Sequence, residues 1–153
     1  MATGFHPANY LARLRVVGRG GRTLQEHWAG EPRAYLGITV PGFPNLFLLY
    51  GPNTNIVING SITYFSECEV HYILESIRML LEGGHRSMDC RGEVHDAYNV
   101  RIDEANRTMA WGASTVNTWY KNAKGRVTQN WPFSLLEYWD QTRGPNPNDY
   151  VLR

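Results

Sequence analysis

Between Ser61 and the pair Gly83-Gly84 lies the run ITYFSECEVHYILESIRMLLE, which limits this chain more than any other part of it. Phe65, Tyr72, Ile73, Ile77, Leu80 and Leu81 keep helical spacing, so the run predicts one long amphipathic helix from Ile62 to Glu82. Ser61 or Asn59 suits its N-cap, and the two glycines stop it. Glu67, Glu69, His71, Glu75 and Arg78 lie on this pattern and exclude a membrane span. Such a helix buries its apolar face only if other elements pack against it.

Those elements are short. Leu14 to Val17 reads as a short strand, followed by a glycine turn at Gly18, Gly20 and Gly21 and a segment from Thr23 to Trp28. Tyr35 to Val40 (YLGITV) is strand-like and is stopped by Pro41. Leu46 to Tyr50 (LFLLY), bounded by Pro44 and Gly51-Pro52, is the most apolar run and reads as a strand buried on both faces. Ser87 to Arg91 reads as another brief strand. A second helix runs from about Glu93 to Met109. Val94, Ala97, Tyr98, Ala105 and Met109 mark its buried stripe, and Asp103 and Arg107 form an i,i+4 ion pair on it. Residues 113–132 look extended around a turn at Asn122 to Gly125, Phe133 to Gln141 is helix or irregular, and GPNPNDYVLR reads as a surface ending.

Short buried strands plus two long amphipathic helices indicate an α/β arrangement, or α+β if the chain is an isolated piece. The 153 residues amount to one domain or part of one. No repeat or linker divides them. Residues 1–60 are strands and loops, 61–110 two helices, and 111–153 an aromatic-rich C-terminal segment.

Fifteen Lys and Arg against fourteen Asp and Glu leave a net charge of +1. The basic residues are scattered, so the expectation is no nucleic-acid or membrane partner. Cys68 and Cys90 cannot build a disulfide framework, and MATGFHPANY lacks the features of a signal peptide. A reducing, cytoplasmic setting is expected.

Chemistry-bearing motifs are sparse. Cys68 and His71 stand at i, i+3, with His85, Cys90 and His95 following, but the remaining gaps match no zinc pattern. Buried cysteines and surface histidines account for them better. Gly18-Arg19-Gly20-Gly21 fails the dinucleotide fingerprint because Thr23 stands where a third glycine is needed. Glu67 and Glu69, two apart on a helix, are expected to be solvated. Among the five Trp and nine Tyr, Trp111, Trp119, Tyr120, Trp131, Tyr138 and Trp139 crowd the last third, where packing is the favoured reading over a stacking surface for a ring-shaped ligand. The most suggestive segment is Leu46 to Ser61: beyond an apolar run and Gly51-Pro52, a helix N-terminus offers N–H groups to an anionic group. An ordinary connection explains the same segment equally well.

Several separated blocks resemble, in order, the C-terminal region of flavin-dependent Baeyer–Villiger monooxygenases. They are YLGITVPGFPNLFLLYGPNTN, DAYNVRIDEANRTMAWG, VNTWYKNAKGRVTQNWP and LLEYWDQTRGPNPNDY. NTNIVINGSITYFSECEVHYI is similar to the 4-hydroxyacetophenone monooxygenase type within that family. Ala2-Thr3-Gly4-Phe5 resembles the ATG motif that the family carries deep inside its polypeptide. The family's two GxGxxG motifs, its FxGxxxHxxxW fingerprint and its catalytic Arg have no counterpart here and would lie upstream.

The resemblance implies the C-terminal part of an enzyme that uses FAD, NADPH and O2 to insert oxygen beside a ketone, an aryl ketone for this type, giving an ester. Residues 1–60 would complete the FAD domain. It implies cofactor contacts at Ala2, Thr3 and Gly4, at Gly51, Pro52, Asn53 and Thr54, and at Trp119, with Asn117 and Tyr120 lining the substrate pocket. It assigns no catalytic residue and no metal. The piece alone would be inactive, would not hold FAD tightly, and would self-associate through an exposed sheet or helix surface. The alternative is a non-catalytic module that keeps the fold and binds a ligand or partner.

Overall fold

A computed structural model of the chain describes residues 10–57, 60–113, 115 and 118–153. Helix α1, Leu24–Trp28, opens with a reciprocal cap. Glu26 N–H donates to the Thr23 hydroxyl (3.2 Å), and Thr23 N–H to the Glu26 carboxylate (2.7 Å). Helix α2, Ile62–Glu82, starts at Ser61, whose hydroxyl accepts from Tyr64 N–H, and ends at Gly83. Strand β1, Met88–Cys90, leads into α3, Gly92–Thr108. The short α4, Leu135–Gln141, is capped by Ser134.

Strand β2, Tyr150–Leu152, pairs antiparallel with β1 in the register Met88 to Leu152, Asp89 to Val151 and Cys90 to Tyr150. The ending expected on the surface is therefore the partner that β1 requires. Tyr150 is buried, and its hydroxyl lies 2.6 Å from that of Tyr72 on α2. Tyr150→Phe leaves the buried Tyr72 hydroxyl without this partner and is expected to cost about 2 kcal/mol in urea unfolding.

The main core gathers Phe65, Tyr72 and Leu80 of α2 with Tyr98 and Ile102 of α3, Trp131, Tyr138 of α4 and Tyr150. A second cluster sets Leu24 and Trp28 against Ala34, Val40, Phe43 and Leu48. Trp131 and Tyr138 thus pack, whereas Trp119 stands 59% exposed.

Three expected strands are absent from the described residues 10–57. Tyr35 to Thr39 is a tight turn, with Leu36 (φ 56°) and Gly37 (φ 74°) left-handed. Leu36 and Ile38 are buried in the main core, and the Tyr35 ring packs edge-on against Tyr98 and Tyr150 instead of lying along a ladder. Leu46 to Tyr50 is irregular: Leu48 N–H bonds the Ile38 carbonyl (2.8 Å), Leu48 is buried, and Leu49 is 54% exposed. Of Leu14 to Val17, only Val17 forms an isolated bridge, to Thr23. Strand propensity without a neighbouring strand leaves buried turns. Among the described residues the architecture is α+β: four α-helices and one two-stranded sheet.

The buried stripe of α3 is also different. It carries His95, Tyr98, Asn99, Ile102 and Asn106, while Ala97 is exposed. Asn99 donates to the Ala34 carbonyl (3.2 Å) and Asn106 to that of Asn130 (3.1 Å). These amides satisfy loop carbonyls that no regular element covers. Asp103 turns away from Arg107 and binds Arg33, 70 residues before it, and Arg126, 23 residues after it. On α2, Val70, Leu74, Ile77 and Leu81 form an exposed apolar row. None of the helices among the described residues is long and apolar enough to cross a membrane.

Candidate cofactor-facing site

Gly51, Pro52, Asn53 and Thr54 form a buried turn behind the surface. A side chain at Gly51 would put its Cβ 2.0 Å from the Gly37 carbonyl oxygen, so only glycine allows the two backbones to meet. Asn53, at φ 61°, gives its amide to the Val127 and Asn130 carbonyls (3.0 and 3.2 Å). Its side-chain oxygen accepts from Arg126 Nη2 (3.1 Å). The Thr54 hydroxyl donates to the Gly51 carbonyl (2.8 Å). The polar atoms of Asn53 and Thr54 are spent inside the protein, and what the turn supplies to the outside is placement.

It places the flanking residues. Tyr50, Val57 and Ile62 are open to solvent, as are Gly60 and Ser61. The first turn of α2 contains no acidic residue to neutralise the partial positive charge of its N-terminus. The surface around it therefore combines apolar side chains with N–H donors.

Trp119 and Tyr120 are tied to the same turn through the backbone. Asn53 N–H donates to the Thr128 carbonyl (3.1 Å), and Thr128 N–H to that of Tyr120 (3.1 Å). The exposed Trp119 ring packs obliquely on Tyr120, with centroids 5.6 Å apart. Of the other expected site residues, Ala2, Thr3, Gly4 and Asn117 lie outside the described residues, as does the alternative cap Asn59.

Arg126 buttresses the turn from behind. Its Nε donates to Asp103 (2.8 Å), Nη1 to the Pro32 carbonyl (2.9 Å) and Nη2 to Asn53. Burial lowers the pKa of this guanidinium, and Asp103 opposes that shift. Arg33 occupies the second Asp103 oxygen (2.9 Å). Beside the group is a cleft of about 310 Å³, lined in part by Arg107 and Lys124.

Glu69 departs most from expectation. It is fully buried, not solvated. One carboxyl oxygen accepts the Tyr50 N–H (2.7 Å), and the other lies 3.2 Å from the Tyr138 hydroxyl. Burial pushes its pKa up to about 7, against the opposing pull of these hydrogen bonds. Helical spacing held the signal, since position 69 follows Phe65 by four and precedes Tyr72 by three, inside the buried stripe. Cys68 and Cys90 are buried free thiols, and no metal-holding cluster occurs among the described residues.

No family model matches the chain. It is 36% identical over 153 residues to a Baeyer–Villiger monooxygenase of Streptomyces coelicolor, covering 99% of this chain and 29% of that protein. It is 34% identical over 157 residues to an FAD-binding monooxygenase, ktnD, of Aspergillus niger, covering 100% and 26%. Among solved structures, an oxidized steroid monooxygenase bound to NADP superposes with a TM-score of 0.79 at 27% identity, over 93% of this chain and 27% of that one. The chain spans between a quarter and three tenths of the length of these proteins. Over nearly its whole length, then, it is similar in sequence and fold to one portion of the FAD-binding and Baeyer–Villiger monooxygenases.

Proposed function

We propose that the chain is the C-terminal part of an FAD- and NADPH-dependent Baeyer–Villiger monooxygenase of the 4-hydroxyacetophenone monooxygenase type. The reaction inserts one atom of O2 beside the carbonyl of an aryl ketone and yields an ester. The observation that carries this reading is the similarity, over nearly the whole of this chain, to a portion of named monooxygenases together with the fold match to one bound to NADP.

The residues present fit one wall of a flavin pocket. The acid-free N-terminus of α2 suits an electron-rich ring edge, and Val57 and Ile62 offer apolar area to a flat ring. Gly51, Pro52, Asn53 and Thr54 hold that wall in place from beneath. Ala2, Thr3 and Gly4 are proposed to approach the same cofactor, and Trp119 to contact the nicotinamide cofactor through its exposed indole. Asn117 and Tyr120 are proposed as pocket lining. Bound FAD supplies the redox chemistry and oxygen activation, while the chain's own residues orient it and keep water away. The phosphate-gripping motifs are proposed to belong to further polypeptide, so the piece alone is inactive. The apolar row on α2 then becomes a self-associating surface.

A chimera tests this. When the chain replaces the matching portion of the Streptomyces coelicolor relative, the product is expected to purify with stoichiometric FAD. It is also expected to convert 4-hydroxyacetophenone to the ester with equimolar NADPH oxidation, read by absorbance and mass spectrometry. The 153-residue chain alone is expected to purify colourless. A folded chimera without flavin, or stoichiometric FAD on the chain alone, overturns the reading.

A further inference from the structure

Glu69 is a fully buried carboxyl with no basic partner among the described residues. Its neighbours are polar but uncharged. The loop contributes the Tyr50 amide and the Thr54 hydroxyl, and α4 the Tyr138 hydroxyl. The titratable groups facing it are Tyr50 and Tyr10 from the N-terminal third, Cys68 on α2, Tyr98 on α3 and Tyr138 on α4. A buried ion here gains no compensating cation.

The hydrogen-bond geometry favours the neutral carboxyl. Tyr138 has one proton, and the Leu36 carbonyl is its nearer acceptor, at 2.8 Å against 3.2 Å for Glu69. A protonated Glu69 can donate to the Tyr138 oxygen while its other oxygen accepts from Tyr50. That arrangement satisfies every partner and joins three elements at one point. The segment it holds contains two left-handed non-glycine residues, Tyr50 (φ 53°) and Asn53 (φ 61°), which persist only where surrounding structure enforces them.

We propose that Glu69 is a positioning residue: its carboxyl latches the Tyr50–Thr54 turn onto α2 and α4, and the turn is held most tightly while that carboxyl is protonated. Its bearing on a flavin pocket rests on the function proposed above. The latch itself does not, and its test requires no cofactor.

The sign follows from linkage. A carboxyl whose pKa is higher in the closed state than in the open one favours closure at low pH. The closed state is fully favoured below the ordinary Glu value and loses its advantage as pH rises to about 7. In the 153-residue chain, the hydrogen-exchange protection of the Tyr50 amide is expected to fall by up to about 100-fold between pH 5 and 8, after correction for intrinsic rates. The Ser87 amide, bonded to the Arg153 carbonyl at 2.9 Å in the sheet region, is the internal reference.

Glu69→Gln keeps an acceptor for Tyr50 and a donor for Tyr138 without a charge. It is expected to hold Tyr50 protection within about threefold over the same range. Glu69→Ala is expected to speed Tyr50 exchange at least tenfold at pH 5. Should that variant fail to fold, wild type against Glu69→Gln still decides. Parallel pH profiles for those two, or unchanged Tyr50 exchange in a folded Glu69→Ala, overturn the latch. Neither result depends on whether the chimera binds FAD.

Discussion

Asp103→Ala is expected to destabilise the chain by about 3–5 kcal/mol, because it strands a buried guanidinium. The Arg126 side chain is only 9% exposed, and Asp103 is its charge partner. The same carboxylate also takes Arg33, so one substitution leaves two cations facing each other. The damage should reach the site, because Arg126 also holds the side-chain oxygen of Asn53. Urea unfolding followed by tryptophan fluorescence measures it. Arg33→Ala, at the more exposed end of the group, is the comparison and should cost about 1 kcal/mol. Similar losses for the two variants would mean that Asp103 does not compensate a buried charge.

Gly51→Ala is expected to cost about 3 kcal/mol through overpacking. Its Cβ would stand 2.0 Å from the Gly37 carbonyl oxygen and 3.2 Å from Leu48 Cβ. The nearest obstacle is backbone, so no rotamer change relieves it. The turn must move, and with it Tyr50 and the chain leading to α2. Gly125→Ala provides the contrast. It meets left-handed strain (φ 81°), which Gly51 does not have, but nothing lies within 4 Å of the added carbon. It should cost about 1 kcal/mol by the same urea measurement. Equal losses would trace the Gly51 effect to general chain stiffening, not to contact with Gly37.

How much could be read from the sequence depended on the range of the interactions involved. Helices α2 and α3, the Ser61 cap, the Gly83 stop and the Asn122 to Gly125 turn follow from residues a few positions apart, and the chain carries those signals locally. The candidate turn at Gly51 to Thr54 was likewise visible as Gly-Pro between an apolar run and a helix start. Its burial was not, because that depends on Gly37, Val127 and Asn130.

The misread elements share one cause. LFLLY has strand composition but no neighbouring strand, so its backbone found carbonyls and a carboxyl elsewhere. DYVLR looks like an ending but meets MDC from sixty residues earlier. Asp103 had a helical neighbour of opposite charge and chose two distant arginines, where burial strengthens the pairing. Glu69 sat on a buried stripe that its charge argued against, and burial raised its pKa instead of expelling it. Periodicity, caps and turns are encoded in adjacent residues, so the sequence by itself determined the long helices and where they stop. The sheet, the polar face of α3 and the carboxyl latch were decided only in the tertiary structure, because each is a hydrogen bond or ion pair whose two halves are distant in the chain and gain their strength from being closed away from water together.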